Sequence, residues 1–279
     1  MADPQPAIDA LRASSFGSVA AEYDRGRPGY SADAIRWLLG DQPLDVVDLG
    51  AGTGKLTGAV REAGHRVTAV EPLPEMRAIL STRLPDVAVV AARAEDTGLP
   101  AGSADAVVAG QAFHWFDRSR AFPEIARILR PEGTLGLLRN RLDQSVPLAA
   151  RVDEALDQIE IDREPAHGKW PEADELAEWF LEVGDERSFP FGHPIDRERL
   201  LDLAVSRSAL AVLAPADRRQ ALDRLAAFWD GDPDLGGRES VELPYTTTVV
   251  RARGVRAGLR TGPAPHRPGA VDAPDPLET

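Results

Sequence analysis

Three side chains combine useful chemistry with telling positions. Asp48 opens the stretch Asp48-x-Gly50-x-Gly52-x-Gly54, Glu71 ends the next β-branched run, and His114 sits in the string "QAFHWFD". A turn this rich in glycine lets the backbone come close to a bound ligand, since no Cβ stands in the way and positive φ costs little. Glu71 follows the turn by roughly 20 residues, the spacing from which a carboxylate accepts hydrogen bonds from both hydroxyls of a ribose. The plain alternative for Glu71 is a solvated acid before a proline turn. His114 can take a proton from a hydroxyl or hold a carboxylate. Equally, it can be a packing histidine among Phe113, Trp115 and Phe116.

Residue-by-residue comparison narrows the ligand. A phosphate loop requires a glycine, four residues, then Gly-Lys-Ser/Thr. Aligned on Gly54 and Lys55, the first glycine becomes Leu49 and the hydroxyl becomes Leu56. A dinucleotide turn places a third glycine where Lys55 stands, so that reading is weakened too. What remains is a tight turn with an acidic lead residue, suited to an adenosine-bearing ligand without pyrophosphate. No Gly-x-Ser-x-Gly elbow offers an acyl-transfer nucleophile. The five histidines, at 65, 114, 167, 193 and 266, form no ligand pair at helical spacing and there is no cysteine, so no metal site is expected.

The elements that must position these residues alternate from Ser31 to Arg139 between helical patterns and short apolar strands, the mark of a parallel sheet covered on both faces. Ser31 caps a first helix stopped by Gly40. "LDVVDLG", "RVTAVEP", "VAVVAA", "ADAVVAG" and "TLGLL" read as five strands. Between them fit helices over Leu56 to Ala63, from Pro74, and over Pro123 to Leu129, with "RPEG" as a turn. Beyond Arg141 the pattern predicts helices over Val146 to Ile161, Pro171 to Val183, Arg197 to Leu203 and Pro215 to Trp229. "RSFPFGHPI" and "SVELPYTTTVVRAR" read as an antiparallel strand pair, with Pro244 implying an edge or bulge. The proline-rich stretch from Thr261 is expected to stay unfolded.

The 279 residues carry 32 basic and 45 acidic side chains, a net charge of -13. Such a surface repels nucleic-acid phosphate, so no nucleic-acid partner is expected. "MADPQPAIDA" lacks the basic start and apolar run of a signal peptide, and no later stretch is apolar enough to span a bilayer. The expected location is the cytoplasm, with no membrane partner.

In order, "VVDLGAGTG", "VTAVEP", "AARAEDTGLP", "SADAVVAGQAFHWFD" and "EIARILRPEGTLGLL" resemble the class I S-adenosylmethionine-dependent methyltransferases, especially the small-molecule, trans-aconitate methyltransferase-like branch. The resemblance is close from about Phe16 to Arg141. It implies a doubly wound, mostly parallel Rossmann-like α/β sheet with an antiparallel C-terminal strand pair. It divides residues 1–258 into a cofactor half, about 16–141, and a substrate-covering helical insertion, about 142–235, with 259–279 as a tail. It further implies that Gly50, Ala51 and Gly52 pass under the methionine part of S-adenosylmethionine, with Asp48 near its amino group. Glu71 would bind the ribose, Ala94 and Glu95 face the adenine, and Gln111 and Ala112 line the sulfonium side. "FGSVAAEYDRGRPGY" resembles a lid, in which Arg27 could pair with the cofactor carboxylate while Tyr23 and Tyr30 exclude water. Tyr23, Tyr30, Trp115 and Arg139, with His114 and Asn140, are acceptor-side candidates, and Trp170 and Arg207 weaker ones. The expected reaction is methyl transfer to a carboxylate or hydroxyl of a small molecule. A nicotinamide-dependent oxidoreductase and a non-catalytic S-adenosylmethionine-binding protein are the alternatives.

Overall fold

The computed structural model describes residues 19–159, 170–207, 210 and 213–258. The stretch from Thr261 and the lid residues Phe16 to Ser18 lie outside them.

Helix α1 (Ala20–Gly26) precedes α2 (Ala32–Leu39). Ser31 accepts the Ala34 N–H at the start of α2, and Gly40, at φ 76°, stops it. Then come β1 (Asp45–Leu49), α3 (Lys55–Glu62), β2 (Arg66–Val70), α4 (Pro74–Arg83), β3 (Ala88–Val90) and β4 (Ala104–Gly110). The alternation closes with α5 (Arg118–Ile128) and β5 (Leu129–Leu142). These five strands run parallel in the order β3-β2-β1-β4-β5. The chain reverses its winding direction between β1 and β4, so a crevice opens at the carboxyl ends of those two strands. β4 is buried on both faces through Ala106, Val107, Val108 and Ala109, which explains why its sequence lacks polar alternation. One face packs with Phe122, Ile125 and Ile128 of α5, the other with Ile35 and Leu38 of α2 and Val60 of α3.

The second half contains α6 (Pro147–Gln158), α7 (Ala173–Ala177), β6 (Phe180–Val183), β7 (Arg187–Ile195), α8 (Arg197–Val205), α9 (Pro215–Gly231) and β8 (Val241–Val255). β8 lies antiparallel to β5 on one edge and to both β6 and β7 on the other. Helices α6, α8 and α9 share a core of Val152, Leu156, Leu200, Leu203, Leu225 and Trp229, closed against Leu142 and Tyr245. The insertion is therefore split by β6 and β7.

Several sequence expectations need correction. The helix expected over Pro171 to Val183 is a short α7 followed by β6, because Phe180 and Val183 gain ladder partners on β8 and Phe180 is fully buried. α5 starts five residues before Pro123, since Asp117 accepts the Ser119 N–H and caps it there. "RPEG" is absorbed into a 14-residue β5 whose register against β4 is irregular beside Ala104. The edge position expected of Pro244 is present: at the start of β8, residues 241–244 pair with β7 alone. On its β5 side the ladder ends at Tyr245 opposite Leu142, so residue 244 needs no N–H there, while its carbonyl accepts the Asp143 N–H at 3.0 Å.

Candidate active site

The glycine turn hangs from the end of β2. Gly50 and Ala51 both donate their N–H to Val70 O, at 2.9 and 3.1 Å. Gly52 donates to Glu71 Oε2 at 2.8 Å, and Leu73 donates to Glu71 Oε1 at 2.9 Å. Glu71 is thus buried, built into the turn, and each carboxylate oxygen keeps a further lone pair. Burial pushes its carboxyl above the usual range, against the pull of the Leu73 and Gly52 donors.

The three glycines serve different needs. A Cβ on Gly50 would lie 2.6 Å from the Ala112 Cβ, and one on Gly54 2.9 Å from Leu80, so both positions are dictated by packing. A Cβ on Gly52 would meet nothing within 4 Å. All three have positive φ, 67°, 57° and 85°. Only Gly52 faces open space.

Asp48 is fully buried at the end of β1. Its Oδ2 accepts the Thr57 hydroxyl at 2.6 Å, while Oδ1 has no hydrogen-bond partner. Burial raises its carboxyl to about 7, the Thr57 bond opposing and Glu71 assisting. Lys55 explains its own place: its ammonium reaches Asp24 of α1 at 3.6 Å, the same carboxylate that pairs with Arg83.

The lid covers this turn. Burial pushes the Tyr23 and Tyr30 phenols up, and Asp48 acts on both, Glu71 on Tyr23. The Tyr30 hydroxyl occupies the space of the Cβ that Gly110 lacks. Arg27 stacks 5.3 Å from the Tyr23 ring centre, but its Nε and Nη2 donate to Ser206 Oγ and O, at 2.8 and 3.1 Å. A bidentate contact with a ligand through that edge requires Ser206 to be displaced.

Beyond β3, Ala94 is buried and Glu95 has both oxygens engaged, with the Asp117 N–H at 2.8 Å and Arg93 at 3.3 Å. The loop is fixed from beneath by Glu124, which accepts the Thr97 N–H and hydroxyl and pairs with Arg127 at 2.6 Å. Burial pushes the Glu124 carboxyl up, but Arg127 and Thr97 outweigh it and hold it below its usual range. Sequence reasoning missed this pair; two charged residues on the apolar face of "EIARI" were the available signal.

Past β4, Gln111 has φ 57°, the one positive φ of a non-glycine among the described residues. Ala112 and Phe113 are buried, and His114 and Trp115, in a single turn of 3-10 helix, are half-buried with ring centres 4.7 Å apart. At the end of β5, Arg139 pairs with Glu186 at 2.5 Å and stacks 4.7 Å from Trp170. Its neighbour Asn140 is buried and bonded within the protein rather than open to a ligand: its Nδ2 donates to Gly29 O at 2.7 Å and its Oδ1 accepts the Thr247 hydroxyl at 2.7 Å. Arg207 belongs to the insertion, facing Asp153 and Asp157 at 3.6 and 3.5 Å.

The crevice thus gathers Asp48, Gly52, Glu71, Tyr23 and Tyr30, with Gln111 and Ala112 on the β4 side. Comparison with known proteins puts this arrangement in context. Residues 47–137 match the family model for a methyltransferase domain. The chain is 39% identical over 239 residues to an uncharacterised methyltransferase of Mycobacterium tuberculosis strain H37Rv, covering 85% of this chain and 95% of the relative. An uncharacterised methyltransferase-like protein of Schizosaccharomyces pombe is 30% identical over 243 residues, with 84% and 93% covered. A solved structure from Anaeromyxobacter dehalogenans, assigned provisionally to the type II methyltransferases, shares the fold with a TM-score of 0.58 at 24% identity, over 82% of this chain and 97% of that one.

Proposed function

This chain belongs to the class I S-adenosylmethionine-dependent methyltransferases, and from that premise we propose that it methylates a small molecule on a carboxylate or hydroxyl oxygen. The cofactor supplies a methyl group on a positively charged sulfur, a charge that vanishes as the methyl leaves. Family membership sets aside the oxidoreductase and the non-catalytic reading.

Three features of the turn suit this donor. Asp48 Oδ1 is a buried acceptor without a partner, beside which an ammonium group gains a counter-charge. Gly52 leaves room under the methionine part. Glu71 retains a lone pair on each oxygen for the ribose hydroxyls. In this reading Gly50 and Ala51 shape the turn, Ala94 and Glu95 back the adenine, and Gln111 and Ala112 line the sulfonium side.

The observation that carries the small acceptor is the roof. The Tyr30 hydroxyl packs on Gly110 at the carboxyl end of β4, and the segment that carries Tyr23 and Tyr30 is tied to α8 and Ser206 through Arg25 and Arg27. Such a cover suits a small acceptor, for which His114, Trp115 and Arg139 are the proposed contacts, and the net charge of -13 opposes a polyanion. Tyr23 and Tyr30 exclude water from the reacting oxygen. A carboxylate acceptor needs no base and Arg139 orients it, whereas a hydroxyl needs His114 to take its proton. Most of the rate then comes from holding acceptor oxygen, methyl and sulfur in line, an effect worth on the order of 7–11 kcal/mol in favourable cases.

The test is to mix the protein with methyl-labelled S-adenosylmethionine and separated fractions of a cell extract. Label appearing in the small-molecule fraction supports the reading. Label confined to protein or nucleic acid overturns it.

A further inference from the structure

We propose that Asn140 is a positioning residue that makes closure of the lid and the geometry of Gln111 a single event. The inference rests on the reading of Gln111 as part of the donor's sulfonium side.

Gln111 holds a left-handed backbone conformation that residues with a side chain rarely adopt. Such a conformation persists only where its surroundings over-determine it. Two bonds do so here: the Gln111 N–H donates to Leu138 O at 2.9 Å, and its side-chain Nε2 donates to Asn140 O at 2.9 Å. The Gln111 side chain is thus folded back onto β5 and ends at Asn140.

From the same residue a second set of bonds runs to the lid. Asn140 Nδ2 donates to Gly29 O at 2.7 Å, and Asn140 Oδ1 accepts the Thr247 hydroxyl at 2.7 Å. Thr247 Oγ1 in turn accepts the Ser31 N–H at 3.1 Å. Gly29 and Ser31 flank Tyr30, whose hydroxyl packs on Gly110, the residue immediately before Gln111. Asn140, Thr247 and Ser31 are all buried, so each bond lost would leave a polar group without water. Two strands and two loops meet in one network, and three of its five bonds end on Asn140. If the lid lifts, Gly29 and Ser31 leave and the support of Gln111 loosens; if Gln111 changes conformation, Asn140 loses a partner.

The experiment compares wild type with N140D and T247V, both near-isosteric. N140D turns a donor into a carboxylate facing the Gly29 carbonyl; T247V removes the hydroxyl that links Ser31 to Asn140. Two readouts are taken: amide hydrogen exchange at residues 29–31 and 111, and calorimetric affinities for S-adenosylmethionine and for S-adenosylhomocysteine, which lacks the sulfonium methyl. Both variants are expected to exchange faster in both segments and to alter the ratio of the two affinities by roughly 2- to 10-fold. A merely structural role would lower the melting temperature and weaken both ligands alike. Faster exchange at 29–31 with residue 111 unchanged, or an unaltered ratio in folded variants, overturns the inference. A wild-type protein that binds neither ligand overturns the donor reading and this inference with it.

Discussion

Arg25 and Asp202, 177 residues apart in the chain, meet in a two-point ion pair at 2.7 and 3.0 Å. Beside it, Gly26 lies so near α8 that a Cβ there would fall 2.2 Å from the Leu203 nitrogen. The lid helix is therefore fastened to the insertion through Arg25, and to the cofactor half through Asp24, which pairs with Lys55 and Arg83. Arg25 is half exposed, so solvent screening limits the pair to less than about 1 kcal/mol of stability. Asp202→Asn should leave the melting point nearly unchanged but speed amide exchange in Ala20–Gly26. Gly26→Ala, which drives a Cβ into backbone, should cost far more stability. Equal melting points for the two variants would refute this division of labour.

Glu71→Ala removes a carboxylate that binds the turn and, in the proposed reading, the ribose. Charge-assisted hydrogen bonds worth about 1.5–3 kcal/mol correspond to affinity for S-adenosylmethionine falling roughly 10- to 150-fold. Unchanged affinity by calorimetry would remove Glu71 from the site.

The glycine turn gives a paired test. Gly52→Val places its side chain in open space and should abolish cofactor binding while the protein still folds, at the cost of strain from φ 57°. Gly50→Ala meets Ala112 at 2.6 Å and should lower the melting temperature as well. Wild-type affinity in a folded Gly52→Val protein would exclude the turn as the binding surface.

Asp48 predicts a pH dependence. Its folded carboxyl titrates near 7, well above the ordinary value of 3.8. Between those values the unfolded chain has released the proton and the folded chain still holds it, so the ligand-free protein loses stability as pH rises from about 4 to about 7. Asp48→Asn removes this loss. Its melting temperature relative to wild type should be higher at pH 8 than at pH 5, and the same difference at both values would contradict the assignment.

His114 separates the two acceptor chemistries. With a hydroxyl acceptor, His114→Asn should slow turnover about 10²- to 10⁴-fold while sparing cofactor affinity. With a carboxylate acceptor, acceptor affinity should suffer more than turnover. Normal kinetics with lower thermal stability would make His114 a packing residue against Trp115.

Strands β1 to β4 were legible in the sequence because they are short, apolar and set off by turn residues such as Gly40. Glu71 and the glycine turn were legible for a related reason: their spacing along the chain is itself the signal. Phe180–Val183 was not, since four residues with a helical flank carry no mark of the β8 partner that makes them a strand. The bond between Thr247 and Asn140 crosses 107 residues, and only three consecutive threonines in an apolar strand hinted at a polar network there. Arg27 and Glu95 were placed at the ligand by the family resemblance. Their partners Ser206 and Asp117 come from the tertiary fold, which spacing does not encode.

β6 and β7 have their ladders on β8 alone, and β8 also completes the open edge of β5. During synthesis, then, a ribosome releases the parallel half and both outer strands before the strand that joins them exists. Until residue 255 has left the exit tunnel, the nascent chain carries an unpaired edge on β5 and two orphan strands, and the final pairing is between segments distant in sequence, a slow class of folding step prone to association between chains. A premature stop before Val241 would therefore cost three strands rather than one.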